Sequence, residues 1–154
     1  VKGLETSLLL NELTRVGNKL EANPKTGLYL SQLQYYREAI RLDPRAAYID
    51  HARYMLLKSH FYDSFSDNPL TPFAQSKETL QEMIGIGEGL LKSKHPQVNA
   101  EELRFILGIH YLQGIKLQQV DKEDALKKVK KLVQELHKDY PQSLKLLTLE
   151  SLMP

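Results

Sequence analysis

The stretch MIGIGEGLLKSK, residues 83–94, sets three glycines at alternate positions and follows them with Lys92, Ser93 and Lys94. Glycine-rich loops cradle phosphates because backbone N–H groups can close on the anion where no side chain intervenes. The P-loop spacing is Gly-x-x-x-x-Gly-Lys-Ser/Thr, and a dinucleotide loop is Gly-x-Gly-x-x-Gly between a strand and a helix. Gly85, Gly87 and Gly89 match neither, and they lie inside an apolar pattern of helical period. Gly85 and Gly89 share a helix face, which predicts close approach by another helix. Each glycine costs about 1 kcal/mol of helix propensity, so a kink is expected there too.

The other chemistry-bearing residues are dispersed. His51 and His60 stand on opposite faces of one helix, and no His-Glu-x-x-His spacing exists, so zinc is not expected. His110 lies in an apolar helix, where a hydrogen-bonded interior histidine is the simpler reading. No Gly-x-Ser-x-Gly elbow is present. The pair Glu101-Glu102 suits the electrostatics of a helix N-terminus. The chain has no cysteine, which excludes thiol catalysis, thiolate metal sites and disulfides. The expectation is a non-enzymatic chain with no catalytic residues, no metal and no cofactor.

The lysines of ALKKVKKL (125–132) form the remaining cluster. Lys127, Lys131 and Lys138 share a face, a candidate basic patch for an acidic partner or nucleic acid. The plainer reading is a solvated helix face, relieved by Glu123, Asp124, Glu135 and Asp139. No aromatics interleave with these lysines, so stacking of single-stranded nucleic acid is not expected.

The totals set the frame. A chain of 154 residues makes one domain burying roughly 70% of its unfolded surface. Net charge is +2, with 42% hydrophobic and 26% charged residues, so no global field demands nucleic acid or membrane. No apolar run approaches the roughly 20 residues of a membrane span. The chain opens on Val1 with no signal-peptide pattern, as a trimmed or processed piece would. The compartment is left open between cytoplasm, the default, and the periplasmic side of a membrane.

Helical spacing dominates. Leu9, Leu13, Val16 and Leu20 lie on one face of a first helix, ended by Asn23-Pro24. Tyr29, Leu33, Tyr36 and Ile40 mark a second, stopped at Asp43-Pro44. A third runs from about 47 to 65 with Tyr54, Leu57, Phe61 and Phe65 on one stripe. Thr71-Pro72 opens a fourth and His95-Pro96 closes it. Asn99 with Glu102 resembles a capping box and starts a fifth. Asp121 with Asp124 starts a sixth, with Leu126, Val129, Val133 and Leu136 inward, ended by Tyr140-Pro141. Leu144, Leu147 and Leu152 mark a short seventh. No strand is evident. The fifth helix is apolar around nearly its whole circumference, so it is buried on several sides or offers a face to a partner. The prediction is an all-α domain of about seven helices, paired antiparallel in a short solenoid or bundle.

Two stretches resemble tetratricopeptide repeats. YYREAIRLDP (35–44) is similar to the second helix of such a repeat, with Tyr36, Ala39 and the closing Pro44. LGIHY (107–111) has the Leu-Gly-x-x-Tyr spacing of a first helix, and Ala125 and DYPQS (139–143) fit the second helix that follows, about one turn too long. RLDPRAAYIDHARYM (41–55) also resembles the outer-membrane barrel-assembly lipoproteins built of such repeats, although their lipid-anchoring cysteine is absent here and the fourth helix is longer than a repeat allows. The resemblance implies a scaffold that binds a protein in a helical groove. It assigns Gly108 to close helix approach and Phe105, Ile109 and Leu112 to the groove. All three are apolar, so the implied partner is an apolar helix or hydrophobic segment, or the chain's own 144–152 folding over as a cap. The alternatives are a section of a larger α-solenoid and a nucleic-acid-binding helical domain using the 127–138 lysine face.

Overall fold

A helix begins where its first free N–H groups find an acceptor, and side-chain caps supply one four times between residues 76 and 154. Ser76 Oγ accepts from the Thr79 N–H at 3.1 Å and opens α2, Lys77–Ser93. Asn99 Oδ1 accepts from Glu102 N at 3.0 Å and opens α3, Ala100–Lys116. Asp121 Oδ2 accepts from Asp124 N at 2.9 Å and opens α4, Lys122–Asp139. Ser143 Oγ accepts from Leu146 N at 3.2 Å and opens α5, Leu144–Leu152. A further helix, α1, spans Ile49–Ser64.

The computed structural model describes residues 37, 40, 41, 49–64 and 76–154. These residues form five helices and no strand, the all-α class expected. The expected first helix lies outside the described residues. Of the second, Arg37, Ile40 and Arg41 are described and helical. The Thr71-Pro72 start also lies outside them, and α2 begins later, at Ser76.

The chain divides into two compact units, 1–64 and 65–154. In the first, α1 buries Tyr54, Leu57 and Phe61, three members of the expected stripe; the fourth, Phe65, is outside the described residues. Met55 and Leu56 are buried as well, so the covered face is wider than one stripe.

In the second unit every other helix meets α3. It packs against α2, α4 and α5, and α5 also packs on α4. The residues from Phe105 to Tyr111 are buried without interruption. At 100° per residue that run covers every direction around the helix axis. Apolarity on all sides thus corresponds to burial on several sides. The inward line of α4 is Ala125, Val129, Leu132 and Leu136. It is rotated from the expected line: Leu126 and Val133 are half-buried, and the small Ala125 takes the inner position.

Two glycines let helices close on α3. A Cβ at Gly108 would stand 2.8 Å from both terminal methyls of Leu149 on α5. The glycine of LGIHY therefore sits where two helices touch, and its neighbour is the C-terminal helix. A Cβ at Gly114 would meet Val120 at 2.9 Å and Leu80 at 3.2 Å, which seats α2 and the α3–α4 turn together.

The glycines of 85–89 behave otherwise. α2 runs unbroken through them, so they form no phosphate loop. Gly85 and Gly89 are exposed, and among the described residues nothing lies within 4 Å of an added Cβ. Among the described residues no helix makes the expected close approach at that face. α2 buries Leu80, Met83, Ile84, Gly87 and Leu90 instead, and those apolar contacts orient the Gly85–Gly89 side toward solvent.

The two classes of glycine should respond oppositely. Gly108→Leu should lower stability by about 1–3 kcal/mol through overpacking. Adding Leu149→Ala should recover part of that loss, a coupling that thermal melts of the double-mutant cycle would read. Gly85→Ala and Gly89→Ala should each raise stability by up to about 1 kcal/mol. A neutral G108L, or strictly additive losses in the cycle, would contradict the close contact.

Candidate functional site

An indentation of the second unit lies where α2, α3 and α4 diverge. It encloses about 480 Å³. α2 and its C-terminal cap contribute Glu88, Leu91, Lys92 and Lys94; α3 contributes Arg104, Leu107 and Tyr111; α4 contributes Lys128, Lys131, Leu132 and Glu135. Leu107, Leu132 and Tyr111 are almost fully buried and make the floor, while Leu91 keeps part of its surface.

The positions follow from helical period. Arg104, Leu107 and Tyr111 step by three and four, so they share one side of α3. Lys128, Lys131, Leu132 and Glu135 do the same on α4. Lys94 is held at the lip by the left-handed turn that ends α2, at φ 51° and ψ 40°. That conformation is unusual for a residue with a Cβ, and its N–H donates to the Leu90 carbonyl at 3.3 Å.

Charged groups tie the walls together. Arg104 Nε donates to Glu135 Oε2 at 2.8 Å, joining α3 to α4. Lys128 Nζ lies 3.4 Å from Glu88 on α2 and 3.1 Å from Asp124 on its own helix. It also stands 5.6 Å from the centre of the Tyr111 ring, a cation–π distance. The hydrogen bond to Asp124 raises the Lys128 pKa, with Glu88 adding to the effect and partial burial opposing it. Burial, chiefly, pushes the Tyr111 hydroxyl well above the ordinary phenol range, and the charges of Glu88 and Asp124 add to this. Both groups are thereby held protonated, Lys128 as a cation and Tyr111 as a neutral phenol.

The residues singled out in the sequence fall in different places. Phe105 and Ile109 are buried, at 9% and 1% exposure, and Leu112, half-buried, is the one of the three that keeps surface. The C-terminal helix does fold onto α3, through Leu149 on Gly108 and Lys145 facing Glu101 at 3.8 Å. Lys127, Lys131 and Lys138 all lie exposed along α4. Lys131 reaches the cleft, Lys127 stands in a hollow with Asp121, Glu123 and Asp124, and Lys138 lines a depression beside Lys94 and Tyr140. His110 is fully buried on α3. His51 and His60 are half-buried on α1. Among the described residues no group of three metal-ligating side chains converges, and no helix is long and apolar enough to cross a membrane. The trio of Glu88, Tyr111 and Lys128 is not visible in the sequence, because its members come from three helices with no fixed spacing between them.

No family model matches the chain, and neither does a curated protein or a solved structure.

The raised pKa values have a definite sign. Tyr111 and Lys128 both ionise at higher pH in the folded chain than in the unfolded one, whose values lie near about 10. Their contribution to stability is complete below about pH 10 and is lost as pH rises above it. Urea unfolding should therefore show stability falling above about pH 10, and Tyr111→Phe should lessen the fall. Identical pH profiles for Y111F and the parent chain would refute the account of Tyr111.

Proposed function

We propose that this chain is a non-enzymatic protein-interaction module of tetratricopeptide-like helix pairs that seats an apolar side chain of a partner segment in a helical groove. The observation that carries the reading is the α2–α3–α4 cleft. It is an opening of about 480 Å³ with a floor of Leu107, Tyr111 and Leu132, large enough for a side chain of a bound peptide. Binding clefts of this kind pair an apolar floor with a few placed polar groups. The packing of α3 against α4, with Ala125 buried, and the close helix contact at Gly108 support the repeat-like architecture. The groove assigned by that resemblance, at Phe105, Ile109 and Leu112, keeps open surface at Leu112, so Leu112 is the residue of that face to test beside the cleft.

A second reading, a segment of a larger stacked array, draws on α5. Leu144 and Leu147 are 78% and 60% exposed there, and a neighbouring helix pair would cover such a face. Concentration-dependent self-association in sedimentation, abolished by Leu147→Asp, would favour it.

The interaction reading is tested by selecting binders from a random dodecapeptide display library on the immobilised chain. Enriched peptides should lose at least about tenfold in affinity, about 1.4 kcal/mol, on Leu91→Asp, with the melting temperature unchanged. Loss on Leu112→Asp instead would move the site to the other face of α3. Failure of the library to enrich any peptide would sink the proposal.

A further inference from the structure

The cleft concentrates charge. Its lining has five cations against two carboxylates, a larger excess than the +2 of the entire chain. The carboxylates are committed: Glu135 holds Arg104, and Glu88 holds Lys128, which Asp124 also neutralises. Lys92, Lys94 and Lys131 are exposed and form no ion pair among the described residues. Three cations therefore stand around an apolar floor with their charge unspent.

Resting on the interaction reading, we propose that the occupant of this cleft is an extended acidic segment of another protein, one apolar side chain on the floor and flanking carboxylates at Lys92, Lys94 and Lys131. Charge complementarity selects this partner. A carboxylate pressed on the floor would lack donors, because Leu107 and Leu132 have none to offer and the Tyr111 hydroxyl is engaged with Glu88. An apolar side chain loses nothing there, and the lysines at the lip meet the carboxylates on either side of it.

A nucleic acid fits the same cations less well. Tyr111, the aromatic of the cleft, is 4% exposed and has Lys128 over its ring, so it presents no free face for a base.

The test reads the composition of the selected dodecapeptides and then their affinity. Enriched peptides should carry Asp or Glu on both sides of a Leu, Ile, Met or Phe. The triple variant Lys92→Glu/Lys94→Glu/Lys131→Glu, all at exposed positions, should lose at least about tenfold in affinity for them, checked for an unchanged circular dichroism spectrum. Should it fail to fold, Lys131→Gln alone should weaken binding several-fold. The parent chain should also bind about tenfold more weakly when salt is raised from about 50 to about 500 mM, since screening reaches these exposed charges. Enriched peptides that are apolar and uncharged, with affinity indifferent to charge reversal and salt, would overturn the acidic partner while keeping the interaction module. No enrichment at all would overturn both. Tighter binding of a thymidine twenty-mer than of any selected peptide, lost in the triple variant, would replace the acidic segment with nucleic acid.

Discussion

The second unit is organised by one requirement: from Phe105 to Tyr111 α3 has no side to give to water. A helix with one apolar stripe needs one neighbour, but a helix buried from Phe105 through Tyr111 needs cover all the way round. α2, α4 and α5 are each placed by a different part of its surface. Gly114 admits Leu80 and Val120, Gly108 admits Leu149, and Arg104 reaches Glu135. Most of the energy in this arrangement is apolar burial, at about 1.5–3 kcal/mol for each large side chain. The part-exposed Arg104–Glu135 pair adds at most about 1 kcal/mol, and its use is to fix where α4 lies along α3.

The cleft is a by-product of that arrangement. Three helices that all touch α3 cannot also touch one another along their full lengths. Where α2 and α4 part, the Lys128–Glu88 pair spans the gap and the side of α3 carrying Leu107 and Tyr111 lies at the bottom. The long stems of Lys92, Lys94 and Lys131 belong to the lip for a simple reason. A lysine can lay its methylenes along apolar surface while its ammonium stays hydrated.

Much of the scaffold was legible in the chain because helices announce themselves locally. Asn99 and Asp121 precede their helices as side-chain caps, and Tyr140-Pro141 follows one, all within a turn of the boundaries observed. The all-round apolarity of 103–115 was equally plain. What failed were inferences about which face meets what. Gly85 and Gly89 share a face by arithmetic, yet nothing in their spacing says whether that face meets a helix or water. Leu126 and Val133 make as good a stripe as Ala125 and Leu132, since both contain Val129 and Leu136. The winning rotation puts the small Ala125 inside, a choice that periodicity does not record. The cleft was hidden for the same reason: its walls are separated by long stretches of sequence, and its lysines look like any solvated helix face until α2 is set opposite them.

The bare turn of α2 at Gly85 and Gly89 has a consequence for how that helix exists. A segment of 17 residues with three central glycines propagates poorly and would scarcely nucleate alone in water. Its order is borrowed from packing on α3, with Leu80, Met83 and Leu90 buried. α2 is also one wall of the cleft. Anything lodged between α2 and α4 therefore adds contacts to a helix with little order of its own, and occupancy and folding of that wall become linked equilibria. The wall tightens as the cleft fills, with no hinge and no second conformation required.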